Sequence, residues 1–173
     1  ENLINVQAKI DAALSRRTEE KITGSKVTLV AVTKNHPAEV ITDAFNLGVS
    51  VIGENRVQEA KAKREIVGKG SGRWHLIGHL QTNKAKQAVA IFDMIESADS
   101  VHLMQAVDKE AAKAGKVQEI LLQVNIAREE QKTGFSPEDY EAVVPELDNF
   151  KNLHVRGLMV IAPAAENSND IRW

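Results

Sequence analysis

The sequence predicts an α/β fold built on a parallel sheet, and three observations predict it. Short apolar runs alternate strictly with longer amphipathic runs, giving six strand–helix units over 173 residues. Such alternation requires parallel strands joined by helical crossovers. Each apolar run ends on its carboxyl side with a polar or soft group, and a barrel gathers such groups at one mouth. Neither a Gly-x-Gly-x-x-Gly string nor a Gly-x4-Gly-Lys-Ser/Thr string occurs, so the dinucleotide and P-loop variants of this class lack their signatures.

The elements follow in order. An amphipathic segment at 3–14 reads as a helix ahead of the first strand. Strand 1 is the apolar run 27–32; Pro37 opens a helix over 38–47, and Gly48 closes it. A very short strand at 49–52 leads into a charged helix over 55–67, with a glycine-rich loop at 68–72. Strand 3 at 74–77 precedes a helix at 83–90, and strand 4 covers 93–97. Ser100 caps a helix that Gly115 ends. Strand 5 covers 119–126. Ser136-Pro137-Glu138-Asp139 combines a cap, a proline at the first position and acids against the helix dipole. Strand 6 runs over 153–161, and the chain then turns polar up to Trp173. There is no internal repeat, low-complexity tract or proline-rich linker, so residues 1–173 read as one domain.

Composition removes several functions. Hydrophobic residues make up 43% of the chain and aromatics only 4%, so aliphatic side chains must build the core. The net charge of −2 comes from 22 basic and 24 acidic residues well interspersed, which leaves no electrostatic footprint for nucleic acid. The absence of cysteine excludes disulfides, thiolate catalysis and cysteine-ligated zinc. No apolar stretch approaches the roughly 20 residues that span a bilayer, and residues 1–17 lack the apolar core of a signal peptide. A cytoplasmic location is the default expectation.

Lys34 carries the chemistry. It ends the run Val27 to Val32 in the string Ala31-Val32-Thr33-Lys34-Asn35-His36-Pro37, so an amine stands where a strand hands over to a helix. A lysine there forms a Schiff base with an aldehyde when partial burial lowers its pKa. The period of two puts Val30, Val32 and Lys34 on one face, and likewise His75, Ile77 and His79, Ile95 and Ser97, Leu121, Gln123 and Asn125, and Gly157, Met159 and Ile161. The strand-end groups are then Lys34, Asn55, His79, Ser97, Asn125 and Met159. His75 and His79 have metal-like spacing but lack a third ligand, so His75 is read as an internal packing or hydrogen-bonding group. Glu54 and Glu59 are read as serving the helix dipole and solvent, and Lys61, Lys63, Arg64 and Lys69 as a solvated face. The stretch from Arg128 to Phe135 is too long for a tight turn and is expected to cover the mouth.

Five strings occur in fixed order: Ala31-Val32-Thr33-Lys34, Gly53-Glu54-Asn55-Arg56-Val57-Gln58-Glu59, Trp74-His75-Leu76-Ile77-Gly78-His79-Leu80-Gln81-Thr82-Asn83-Lys84, Leu122-Gln123-Val124-Asn125-Ile126 and Gly157-Leu158-Met159-Val160-Ile161. Together they resemble the pyridoxal phosphate homeostasis protein family, related to the amino-terminal barrel of alanine racemase. The resemblance implies a single (β/α)8 TIM-type barrel, with about six of its strand–helix units in this chain. It implies pyridoxal 5′-phosphate on Lys34, with Asn55, His79, Ser97, Asn125 and Met159 around the ring. Asn55 and His79 are expected to tune the ring and not to move protons. The implied role is a cofactor carrier in vitamin B6 and amino-acid homeostasis, serving pyridoxal-phosphate-dependent acceptor enzymes, with no catalytic residue or metal of its own. The alternative is an amino-acid racemase or another lysine Schiff-base enzyme on a barrel. A two-base racemase needs an opposing proton-transfer group, whereas the one tyrosine, Tyr140, falls in a predicted helix. Family members continue for about two more units, which hold Gly-Met-Ser and Arg-Ile-Gly strings that cradle the phosphate. The chain is therefore expected to be truncated, to keep the aldehyde anchor and lack the phosphate anchor. A monomer is expected for the complete barrel, and self-association through open sheet edges for the truncated one.

Overall fold

The computed structural model describes residues 2–17, 26–68, 70, 72–129, 132–162 and 167. Six strands form one sheet: β1 (Val30–Val32), β2 (Val51–Glu54), β3 (Arg73–Leu76), β4 (Met94–Ala98), β5 (Gln118–Val124) and β6 (Leu153–Val160). They lie in the order of the sequence, every neighbouring pair parallel. Consecutive order without a reversal is barrel order, whereas an open doubly wound sheet reverses at a switch point. The expected α/β barrel architecture is therefore present as a six-strand wall, with β1 and β6 at its edges.

The helices are α1 (Asn2–Ser15), α2 (Ala38–Asn46), α3 (Val57–Val67), α4 (Ala85–Ile91), α5 (Val101–Lys113) and α6 (Pro137–Val143). The predicted caps act as expected. Ser100 Oγ accepts from the Leu103 N–H, and Ser136 Oγ accepts from the Asp139 N–H. Gly115 takes φ 64° just past α5, the left-handed geometry that favours glycine. Pro145 has no N–H to donate, and the chain past α6 tightens into a 3-10 turn over Val144–Asn149.

Strand boundaries shift from the sequence reading. The first strand begins at Val30 and not at 27, and the second covers Val51–Glu54 where 49–52 was expected. Gly53 extends the strand because it has no side chain: a Cβ there would sit 3.0 Å from Ile77 Cδ1 and 3.1 Å from Val30 Cγ1.

The core lies between the sheet and the helices. Ile52, Trp74, Leu76, Ile95, Ile120 and Leu122 from the strands pack with Ile41, Ala60, Val89, Met104 and Val107 from the helices. Each large aliphatic side chain buried this way stabilises the fold by about 1.5–3 kcal/mol. Trp74 also carries the Arg64 guanidinium 5.2 Å from its ring centroid, a cation–π contact. No side chain of α1 is buried. Among the described residues no helix is long and apolar enough to cross a membrane.

The other face of the sheet curls. Val30 and Val32 from one edge strand and Met159 from the other line a single cavity of about 680 Å³. This cavity opens where the strands end, on the side that carries Lys34.

Candidate functional site

The turn that bears Lys34 is fixed on both sides. Before it, the Thr33 N–H donates to Gly53 O at 3.1 Å, and Thr33 Oγ1 donates to Glu54 Oε1 at 2.6 Å. After it, the Asn35 N–H donates to Glu59 Oε1 at 2.7 Å. Asn35 adopts φ 62°, a left-handed conformation that asparagine tolerates better than most residues. One buried ammonium joins these contacts: Lys63 Nζ donates to Thr33 O and Glu54 Oε1 at 2.8 Å each, and lies 2.7 Å from Glu59 Oε1. Lys34 itself is exposed, and among the described residues its ammonium has no hydrogen-bond or ion-pair partner. The expected partial burial of this amine is not observed. What is buried is the frame around it.

This frame corrects two expectations. Glu54 is not a solvent-face residue but fully buried, and Lys63 is 6% exposed. Arg64 lies over Trp74 and within 3.9 Å of Asp93. The supposed solvated face is thus partly a buried ion network; Lys69 lies outside the described residues. The hydrogen bond from Lys63 holds the Glu59 carboxyl below its ordinary 4.5, against the opposing effect of burial and with help from the Asn35 N–H. Burial pushes Lys63 down, but Glu54 and Glu59 more than offset it and leave the amine above its ordinary 10.5.

The signs define a window. A lowered carboxyl contributes stability that is present above its unfolded value and lost as pH falls through the folded one. A raised amine contributes stability that is present below its unfolded value and lost as pH rises through the folded one. The network is therefore complete between 4.5 and 10.5 and weakens outside. Hydrogen-exchange protection of the Asn35 amide is expected to be constant across that window and to fall on acidification below it. Constant protection down to pH 3 would show that Glu59 does not hold the turn.

Of the predicted site residues, Lys34, Asn55, His79 and Met159 line the cavity, with Ile77, Glu96, Gln123, Lys132 and Thr133 among the remaining walls. Ser97 does not line it. Ser97 is fully buried and donates its hydroxyl to Gly78 O at 2.7 Å. The sequence reading gave the face of Ile95 and Ser97 to the mouth, and that face is the opposite one; the ladder also shifts register between Ile95 and Ala98. Ile95 packs in the helix-side core, and Glu96 turns to the cavity instead. Asn125 does not line the cavity either. Its amide donates to Glu129 O at 2.9 Å and Lys132 O at 3.2 Å, folding the following loop back. That loop does reach the mouth, through Lys132 and Thr133; residues 130 and 131 lie outside the described set.

Two histidines take different places. His75 is buried with Nδ1 2.6 Å from Glu96 Oε1, as an internal hydrogen-bonding residue. His79 is exposed at the mouth with Nδ1 2.9 Å from Asp99 Oδ2. Among the described residues no three His, Asp or Glu side chains cluster to hold a metal. Sequence reasoning missed Glu96, Lys132, Thr133 and Asp99; only Lys132 and Thr133 carried a signal, as members of the long loop.

The family described as alanine racemase, N-terminal domain, matches residues 12–172. The pyridoxal phosphate homeostasis protein of Haemophilus influenzae is 32% identical over 169 residues, 96% of this chain and 70% of its own. The chain belongs to the pyridoxal phosphate homeostasis protein family. The Aquifex aeolicus protein of the same name is 40% identical over 144 residues, 83% of this chain. The match spans 63% of the Aquifex relative and 66% of the Synechocystis one, just under two thirds of their lengths. Among solved structures, PipY of Synechococcus elongatus PCC7942, with PLP bound, superposes with a TM-score of 0.78 at 38% identity. It covers 94% of this chain and 73% of PipY. An alanine racemase of Clostridium difficile superposes with a TM-score of 0.70 at 15% identity and shows the shared fold.

Proposed function

We propose that this protein binds pyridoxal 5′-phosphate through Lys34 and acts as a cofactor carrier in vitamin B6 and amino-acid homeostasis. The observation that carries the reading is the Lys34 amine, unpartnered among the described residues and set in a hydrogen-bonded turn at the mouth of the cavity. The PLP-bound PipY relative supports it. The residues present fit the aldehyde and ring end of that group. Lys34 offers the amine, His79 and Asn55 offer polar contacts, and Val30, Val32, Ile77 and Met159 offer an apolar wall. Ser97 and Asn125 act from behind, by holding Gly78 and the loop after β5. When bound, pyridoxal phosphate supplies an aldehyde that condenses with a primary amine and an electron-withdrawing ring.

A carrier fits better than a racemase. Tyr140 sits in α6, packed against the helix-side core and away from the cavity. A cytoplasmic location and delivery to pyridoxal-phosphate-dependent acceptor enzymes complete the proposal. The test is borohydride reduction with pyridoxal phosphate, followed by peptide mapping. The fixed adduct is expected on Lys34, and Lys34→Ala is expected to remove it together with the visible absorbance. An adduct in the parent on another lysine, Lys84 being the next candidate, would sink the assignment. Incubation with each enantiomer of alanine should leave optical activity unchanged; its loss would favour the racemase.

A further inference from the structure

We propose that His79, held by Asp99, is the acid–base residue that moves protons as Lys34 takes up and releases its aldehyde. The pair then sets the rate of exchange in both directions. The inference rests on the function proposed above and replaces, for His79, the expectation that it only tunes the ring.

The geometry is that of an oriented imidazole. His79 lines the same cavity as Lys34. Its Nδ1 lies 2.9 Å from Asp99 Oδ2. The two side chains differ in exposure, 51% for His79 and 9% for Asp99. The carboxylate is therefore withdrawn from solvent while the ring faces the open mouth. An ionised carboxylate only accepts, so Nδ1 carries the proton, and in the neutral ring Nε2 keeps a lone pair. Asp99 is itself well placed, between β4 and the cap of α5. Ser100 Oγ donates to Asp99 Oδ1 at 3.1 Å while accepting from the Leu103 N–H at 3.3 Å. The other charged groups on the cavity are Lys34, Glu96 and Lys132. Glu96 is tied to His75 and Lys132 to Glu129, each at 2.6 Å. His79 is thus the imidazole on the cavity that also bears the Lys34 amine.

The chemistry calls for such a group. Condensation of an amine with an aldehyde forms a C–N bond, breaks the C–O bond and releases one water. The neutral Lys34 amine gives up two protons, and both leave on the departing oxygen. Each direction needs a proton taken from one atom and returned to the other. Imidazole does both near neutral pH, and no oxidant or reductant is involved.

The test is stopped-flow absorbance of the apoprotein with pyridoxal phosphate, and in parallel with pyridoxal. His79→Gln is expected to slow association and release together by about 100-fold, the low end of general acid–base catalysis, with any loss of its polar contact appearing as a smaller, separate change in affinity. Asp99→Asn is expected to slow both by roughly tenfold or more, because an amide favours the wrong tautomer. Added imidazole should rescue His79→Ala. Nitrogen NMR of the apoprotein gives a readout free of any ligand. It should show His79 as the Nδ1–H tautomer, and Asp99→Asn should disturb it. Unchanged rates in His79→Gln overturn the proposal, as does faster release with unchanged association, which marks a binding contact alone. Circular dichroism establishes that the variants fold. A parent that forms no fixed adduct at Lys34 defeats the function reading instead; the same rates measured with a simple aldehyde on Lys34 then decide the pair.

Discussion

Lys63→Met is expected to cost about 3–5 kcal/mol of folding stability, the range for a buried ion pair that loses one partner. The ammonium satisfies Glu54, Glu59 and the Thr33 carbonyl at once. Without it, a fully buried carboxylate keeps only the Thr33 hydroxyl, and Glu54 Oε2 has no partner even with Lys63 present. Replacing both charges should behave differently. A buried pair exchanged for apolar groups of similar volume is often neutral, so Lys63→Met with Glu54→Leu should recover most of the loss. The turn should recover only in part, because the Thr33 carbonyl then keeps the His36 N–H alone, at 3.2 Å, and Glu59 has lost its ammonium partner. Urea unfolding measures the first effect, and the selectivity of Lys34 toward an amine-reactive reagent measures the second. A single variant that loses less than about 1 kcal/mol, the size of an exposed pair, would show that the network is weak.

Gly78→Ala is expected to destabilise the fold by about 1–3 kcal/mol, the usual cost of overpacking, and to disturb the mouth more than the core. A Cβ at Gly78 would lie 2.4 Å from Asn55 O and 2.8 Å from Asn55 Cα. These are backbone atoms, so the carboxyl ends of β2 and β3 must part. Asn55 and His79 flank that contact, and both line the cavity. The Gly78 carbonyl also receives the Ser97 hydroxyl, which passes the strain to β4. Amide chemical shifts should move at Asn55, His79 and Ser97 while Ile41 and Leu122 stay in place. Cofactor binding should weaken alongside. Wild-type stability and binding in this variant would mean that the two strand ends are not in contact.

Several features were legible because they are local. The run 27–32 followed by Pro37 placed Lys34 at a strand end, and Ser100 and Ser136 announced two helices through caps that the structure contains. Misreadings arose where the cause is distant in sequence. Glu54, Glu59 and Lys63 look like an ordinary charged helix start, and only Thr33 and Asn35 from another segment turn them inward. Ser97 was assigned by giving the face of Ile95 to the mouth, whereas Ile95 packs toward the helices and Glu96 lines the cavity. Asn125 stands at a strand end as expected, but its amide is consumed by Glu129 and Lys132. No local pattern marks Asp99, because its meaning depends on His79, 20 residues away.

The frame around Lys34 has a consequence for how the protein is made. Its members span only Thr33 to Lys63, and its contacts join residues 4 to 30 positions apart. The far wall of the cavity comes from Met159. During synthesis the chain emerges from its amino end at about 5–20 residues per second. The reactive turn is therefore spelled out some seconds before the wall that will enclose it. A nascent chain that has passed Lys63 but not Met159 holds an organised amine that opens onto solvent, exposed to any aldehyde in its surroundings.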